Sequence, residues 1–230
     1  MSGAFPRQRR RAVIRQSLSV GIATGLYGVS FGALSVASGL SVWETCALSL
    51  LMFSGGSQFA LIGVLGGGGS AAAAVSSASL LGIRNAMYGI ALAPSLSVRR
   101  LRRVVAAQLT IDESTAVAAG QPEQPARRLG FWLTGATIYV GWNATTLAGA
   151  LVGNAIGDPR RYGLDAAASG AFLALLWPRL RRREPAAVAV AAAAVAAVTV
   201  PVVPVGLPVV ISAAVAVVVG VARRESGSPA

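Results

Sequence analysis

The sequence predicts an all-α, polytopic membrane protein of about seven transmembrane helices, at least one of them broken. Three observations carry this expectation. Hydrophobic residues make up 54% of the 230-residue chain and charged residues only 12%, whereas soluble domains run nearer a quarter charged. The charges are segregated, leaving uncharged runs long enough to cross a bilayer at about 20 residues per helix. All 20 cations are arginines, and most stand in short clusters between those runs, as topology anchors do. The same figures exclude disorder, which requires low hydrophobicity. They also leave no length for a separate catalytic domain.

A basic leader, Arg7 to Arg15, precedes the first uncharged run, 16–43. That run is too long for a signal peptide, lacks a clear A-x-A site and is followed by further spans, so it reads as a retained first helix. It carries Gly21, Gly25, Gly28 and Gly32 on neighbouring turns. Small residues let helix backbones approach closely in lipid, so tight packing is expected there, with a narrow wall of a substrate path as the alternative. The next run, 45–83, is interrupted by Gly66 to Gly69, a hairpin signal. It divides into a helix near 45–65 and another near 70–94.

Segment 104–126 holds Asp112, Glu113 and a polar loop from Gln121 to Pro125. It reads as a poor span, a broken span or a surface helix. Keeping Arg7 to Arg15 and Arg127–Arg128 on one side favours a crossing at 104–120, which puts Arg99 to Arg103 on the other. The second solution makes 45–65 re-entrant. Residues 129–157 cross once and 163–178 form a shorter span. Residues 185–222, broken by Pro201, Pro204, Gly206 and Pro208, fold as two helices of about 16 residues each. The chain thus divides into a basic cytoplasmic N-terminus (1–15), one transmembrane domain (16–222) and a short cytoplasmic tail (223–230). Gly32-Ala33-Leu34 recurs as Gly149-Ala150-Leu151, and Ala47 to Phe53 resembles Ala171 to Trp177. Transporters often carry half-repeats, although an Ala/Leu-rich chain produces such echoes by chance.

Polar residues inside these runs are the candidate site. Ser54-Gly55-Gly56-Ser57-Gln58 lies in mid-run, where a helix has no need of paired glycines. Unwound backbone at membrane depth is tolerated only where protein or a water-filled cavity receives it, and broken helices build substrate sites in secondary transporters. The bland alternative is packing, with Gln58 bonded to a neighbour. Arg84 sits well inside the span 70–94, with Asn85 and Tyr88 beside it. A cation there costs about 2.5–3.5 kcal/mol on the insertion scale, so it needs an acid, carbonyls or water. It either grips a substrate carboxylate or pairs with Asp112 or Glu113. Adjacent acids cannot both face one way on a helix, so at most one of Asp112 and Glu113 lines the interior, to carry a proton or meet an ammonium. Otherwise they are a solvated pair. Asp165 has the same two readings, with a helix N-terminal role favoured by the dipole. Asn143, beside Thr145 and Thr146, is a weaker substrate-facing candidate, because Thr hydroxyls commonly bond back to their own helix.

No catalytic constellation emerges. The single Cys46 excludes an intramolecular disulfide. The chain has no His, the usual imidazole base and metal ligand. The run Gly66 to Gly69 is followed by no Lys and is not a phosphate loop. Neither an enzyme, a cofactor nor a metal is expected. The net charge of +12 also fits nucleic acid, but the arginines flank apolar runs instead of covering a polar surface. The expected partner is a lipid bilayer, with no nucleic acid.

Taken in order, these residues resemble the AzlC family, the large membrane subunits of two-component branched-chain amino acid exporters. The points of resemblance are Phe31-Gly32, Phe53-Ser54-Gly55-Gly56-Ser57-Gln58-Phe59, Arg84 with Tyr88-Gly89, and Asp112-Glu113. They continue with the helix from Trp142 to Gly153, and with Gly163-Leu164-Asp165 leading into Ala171-Phe172. The likeness runs over roughly 15–222 and is strongest in the first half. Asn85 departs from the pattern, since family members often have His after this Arg. The resemblance implies efflux of branched-chain or similar hydrophobic amino acids, a small separately encoded AzlD-like membrane partner, and a bacterial inner-membrane location. The alternative function is a non-transporting structural subunit of a membrane complex.

Overall fold

A computed structural model describes residues 6–156, 180–204 and 207–225, with Leu173, Leu176 and Trp177 between them. All regular structure among the described residues is helical: α1 (Arg7–Leu26), α2 (Gly28–Ala37), α3 (Val42–Leu51), α4 (Gly55–Gly66), α5 (Ala71–Leu96), α6 (Leu101–Gln108), α7 (Asp112–Ala119), α8 (Gln124–Ile156), α9 (Arg183–Thr199) and α10 (Leu207–Glu225). The all-α class is therefore as expected. The echo at Ala171 to Trp177, most of the span 163–178 and Asp165 lie outside the described residues.

Helices α1 and α2 form one rod, Arg7–Ala37, long and apolar enough by itself to cross a membrane. The rod packs along α8 through the glycines singled out in the sequence. Added Cβ atoms at Gly21, Gly25, Gly28 and Gly32 would strike Thr137, Gly141, Thr145 and the Thr146 carbonyl respectively. From the other side, a Cβ at Gly149 would strike the Val29 carbonyl. Here a side chain is excluded because two backbones touch. Residue numbers rise together on both partners, so the rod and α8 run parallel.

Because α8 is 33 residues long, it serves as a depth gauge at 1.5 Å rise per residue. The route of α6 and α7 can be read against it. Both of their outer ends lie beside the last turn of α5. Gln124 Nε2 donates to the Ser95 carbonyl at 3.2 Å and Arg128 Nε to the same oxygen at 3.1 Å. Arg99 and Arg102 line one cavity with Arg128. Between these ends the chain goes inward: Val117 touches Gly130, and Leu109 touches Gly135, about 16 Å along α8 from Gln124. Residues 101–119 are thus a re-entrant helical hairpin that turns at Leu109–Ile111.

Helices α3 and α4 do the same from the opposite end. Thr45 Oγ1 donates to Ser35 Oγ at 3.0 Å, close to the end of α2. Deeper in, Ser49 Oγ donates to Thr146 Oγ1 at 3.4 Å and Tyr139 Oη donates to the Leu50 carbonyl at 3.2 Å. Helix α4 then starts against Trp142 and ends at Gly66, against Ser38 beyond α2. Residues 42–66 therefore turn back as well.

This corrects the favoured crossing at 104–120 and adopts its alternative, a re-entrant 45–65. It also moves Arg99 to Arg103. Because 101–119 returns to its starting end, this cluster shares an end with Arg127 and Arg128. Gln121 Nε2 donates to Gln16 Oε1 at 3.0 Å, which brings the N-terminal leader to that end too. All three basic clusters then gather at one pole. Length and apolarity favoured the crossing because they do not distinguish a span from a helical hairpin that turns back.

The outward surface is apolar. Leu18, Ile22, Leu26 and Val29 on the rod, Ile83, Met87 and Ile90 on α5, and Val140, Leu147 and Leu151 on α8 are all exposed at helical spacing. A monomer in water does not tolerate such continuous stripes. Inside, Phe31 stacks on Trp142 at 6.0 Å between centroids, and Phe59 meets both rings edge-on at 5.7 and 6.3 Å. This wedge fixes the start of α4 against α8.

Two outcomes check these points. Gly149→Ala is expected to cost about 1–3 kcal/mol by overpacking and to lower the unfolding midpoint in detergent. Gly89→Ala, which meets open space, is expected to leave it unchanged. With Cys46 replaced by Ser, Arg103→Cys and Glu123→Cys are expected to react with an impermeant maleimide from the same side of sealed vesicles. Gly67→Cys is expected to react from the other side. Labelling of the first two from opposite sides would restore the crossing.

Candidate functional site

The two hairpins meet near mid-depth. Gln108, the last residue of α6, donates through Nε2 to the Leu50 and Leu51 carbonyls at 2.8 and 3.3 Å. Gln58 donates to the Met52 carbonyl at 2.8 Å. With Tyr139, these amides satisfy the C-terminal carbonyls of α3, which no helical N–H can reach. At the second turn, Ser114 Oγ donates to the Leu109 carbonyl at 2.6 Å and accepts the Ile111 N–H at 3.1 Å. Thr110 Oγ1 donates to the Ala106 carbonyl at 2.7 Å.

The start of α4 is treated differently. Ser54 makes no side-chain cap; its hydroxyl instead donates to Ser57 Oγ at 3.3 Å. The first backbone bond into the helix is Gln58 N–H to the Ser54 carbonyl. The N–H groups of Gly55, Gly56 and Ser57 therefore have no acceptor among the described residues. A cavity of about 300 Å³ opens beside them, lined by Met52, Ser54, Ser57, Gly82, Asn85 and Gln108, among others. Carbonyls are capped and amides are left free, so this end of the cavity favours an anion.

Arg84 stands about midway along α5 and pairs with Asp112, Nη2 to Oδ2 at 2.7 Å. Tyr88 Oη donates to the other carboxylate oxygen at 2.9 Å. Gly56 makes room for this arrangement, since an added Cβ would lie 2.5 Å from Arg84 Nη2. The cation is thus next to the free amides, and Asp112 opens α7, where an acid also suits the helix dipole. Arg84 Nε and Asn85 Oδ1 are buried with no partner among the described residues.

The sequence-predicted residues divide accordingly. Ser54, Ser57 and Asn85 line the cavity, whereas Gly55 lies against Trp142 and Gly56 against Arg84. Arg84, Tyr88 and Asp112 form one cluster, so of the two uses considered for Arg84 the ion pair is the one formed. Glu113 is half-buried and makes no ion pair among the described residues. The break falls at Met52–Ser54, just before the glycines, which begin α4 instead of being unwound themselves. Gln58 is wholly buried and caps α3. Asn143 turns back to its own helix, donating to the Tyr139 carbonyl at 2.7 Å, and does not line the cavity. Phe59 belongs to the aromatic wedge with Phe31 and Trp142, while Met52 lines the cavity.

Gln108 was missed. Its signal was a lone amide closing an apolar stretch just before Leu-Thr-Ile-Asp-Glu, the counterpart of Gln58 after the first break.

Outward apolar stripes around an interior of satisfied breaks and one ion pair define a helical membrane protein. The model of the AzlC protein family matches residues 19–156, which takes in both hairpins, α5 and all of α8. The chain is also 35% identical over 160 residues to an uncharacterized membrane protein of Archaeoglobus fulgidus, covering 69% of this chain and 70% of that one. No solved structure matches. The chain belongs to the AzlC family.

Removing one member of this half-buried ion pair strands the other. Arg84→Gln and Asp112→Asn are therefore each expected to lower the unfolding midpoint more than the double variant does. Additive losses would show that the two side chains are uncoupled.

Proposed function

We propose that this chain is the membrane subunit of a secondary transporter that exports branched-chain or related hydrophobic amino acids. The observation that carries this is the row of free amides at the start of α4, Gly55 to Ser57, next to the Arg84–Asp112 pair and to a mid-depth cavity that Ser54 and Ser57 line. The family is generally associated with branched-chain amino acid transport, and the chemistry of the cavity suits a zwitterion. Its carboxylate takes the α4 amides and Arg84. Its ammonium takes Asp112. Its side chain lies against Met52. Arg84 and Asp112 neutralise each other; a zwitterion inserted between them replaces each charge contact with another, so no net charge enters a low-dielectric interior. Asp112 or Glu113 exchanges the coupling proton, and no catalytic group takes part.

The two hairpins enter from opposite poles, which gives each pole its own gate for alternating access. The basic pole faces the cytoplasm of a bacterial inner membrane by the positive-inside bias, with the N-terminus on that side, and a small AzlD-like subunit completes the carrier. The Arg84–Asp112 bridge favours one rival, a non-transporting subunit in which the pair only locks α5 to α7.

Counterflow of labelled leucine in vesicles, with and without the small subunit, separates the two. The transporter reading expects flux when both subunits are present. It expects Arg84→Gln to abolish that flux while the protein stays in the membrane, and Gly55→Leu to reduce it strongly by filling the start of α4. Absence of flux with both subunits present supports the lock. Full activity in Arg84→Gln removes Arg84 from the site.

A further inference from the structure

A second cavity, of about 610 Å³, lies at the basic pole, where α5 turns into α6 and both face the first turns of α8. Its lining includes Arg99, Arg102 and Arg128, together with Trp132, Leu96 and Val105. None of the three cations forms an ion pair among the described residues. Glu123, the acid nearest along the chain, is exposed and bridges to none of them. Arg128 is aimed by its Nε bond to the Ser95 carbonyl, which leaves the outer end of its guanidinium to the cavity.

The corner is also conformationally costly. Ser97 and Arg100 both have positive φ, 49° and 52°, a backbone region that L-residues enter at a penalty. The two flank Arg99, so the unusual backbone forms the wall that carries this cation into the cavity. The adjoining surface is not that of a site for a water-borne anion. On α6, Leu101 and Val104 are 75% and 65% exposed, next to Arg102 and Arg103. Bare aliphatics beside cations at the outer end of α6 mark the boundary of a membrane, and Trp132 is the residue type that belongs at that level.

We propose that this cavity holds the phosphate of an anionic phospholipid. The three guanidinium groups take the phosphate oxygens in charge-assisted hydrogen bonds, and the acyl chains run along Leu101 and Val104. The lipid thereby ties the mouth of the α6–α7 hairpin to α5 and α8.

The test uses the full chain in detergent. Short-chain phosphatidylglycerol is expected to raise the unfolding midpoint. Phosphatidylcholine of the same chain length is expected not to, because its phosphate is already paired with its own choline. Native mass spectrometry is expected to show phosphatidylglycerol retained on the parent and lost from Arg99→Gln/Arg102→Gln, which also loses the midpoint shift. These arginines are exposed and unpaired, so the double variant is expected to fold like the parent without lipid. Arg9→Gln/Arg11→Gln, which removes equal charge from the leader, is expected to keep both responses. Equal stabilisation by both lipids, or an undiminished response in Arg99→Gln/Arg102→Gln, would overturn the site. An equal shift from inorganic phosphate at the same concentration would overturn its assignment to lipid.

Discussion

An unwound backbone away from water must have every carbonyl and amide received by something. That constraint organises the centre of this protein. Two helices are interrupted at similar depth, and four side chains answer for most of the exposed groups. Gln58, Gln108 and Tyr139 serve the end of α3, and Ser114 serves the turn before α7. Gln108 comes from the opposing hairpin, so each interruption helps to stabilise the other. The amides of Gly55 to Ser57 are the exception, and the central cavity lies where that exception is.

The ion pair depends on the same construction. Arg84 can approach the α4 terminus only because Gly56 has no side chain. Asp112 is presented to it because the second break ends there and α7 begins. The positive ends of two helices, one guanidinium and one carboxylate thus converge next to the central cavity. Removing either break would leave Arg84 unpaired in an apolar setting or without room to lie.

Much of this was legible from residue types. The all-α class followed from composition, the packing glycines from their spacing, and the importance of Ser54 to Gln58, Arg84 and Asp112 from polar groups where hydrocarbon was expected. The routes of the two hairpins were not legible. Length and apolarity cannot tell a crossing from two short helices that turn back, because both bury about 20 apolar residues. Only cross-chain contacts such as Gly66 with Ser38 and Gln124 with Ser95 decide it. The fine placement of the first break was also out of reach. Glycines mark where a helix can be interrupted, but here they serve the helix that follows. Gln58 and, more weakly, Asn143 read as ligands, and which carbonyls they reach decides their roles.

The seam between the α1–α2 rod and α8 constrains how such a molecule can deform. Its two backbones touch at Gly25 with Gly141 and again at Gly149 with Val29. Sliding one past the other by a single turn would drive side chains into main chain. These helices therefore act as a keel. Whatever rearranges about the centre must pivot on the side of α5 and the two hairpins, where glycines such as Gly63 and Gly89 have empty space around them.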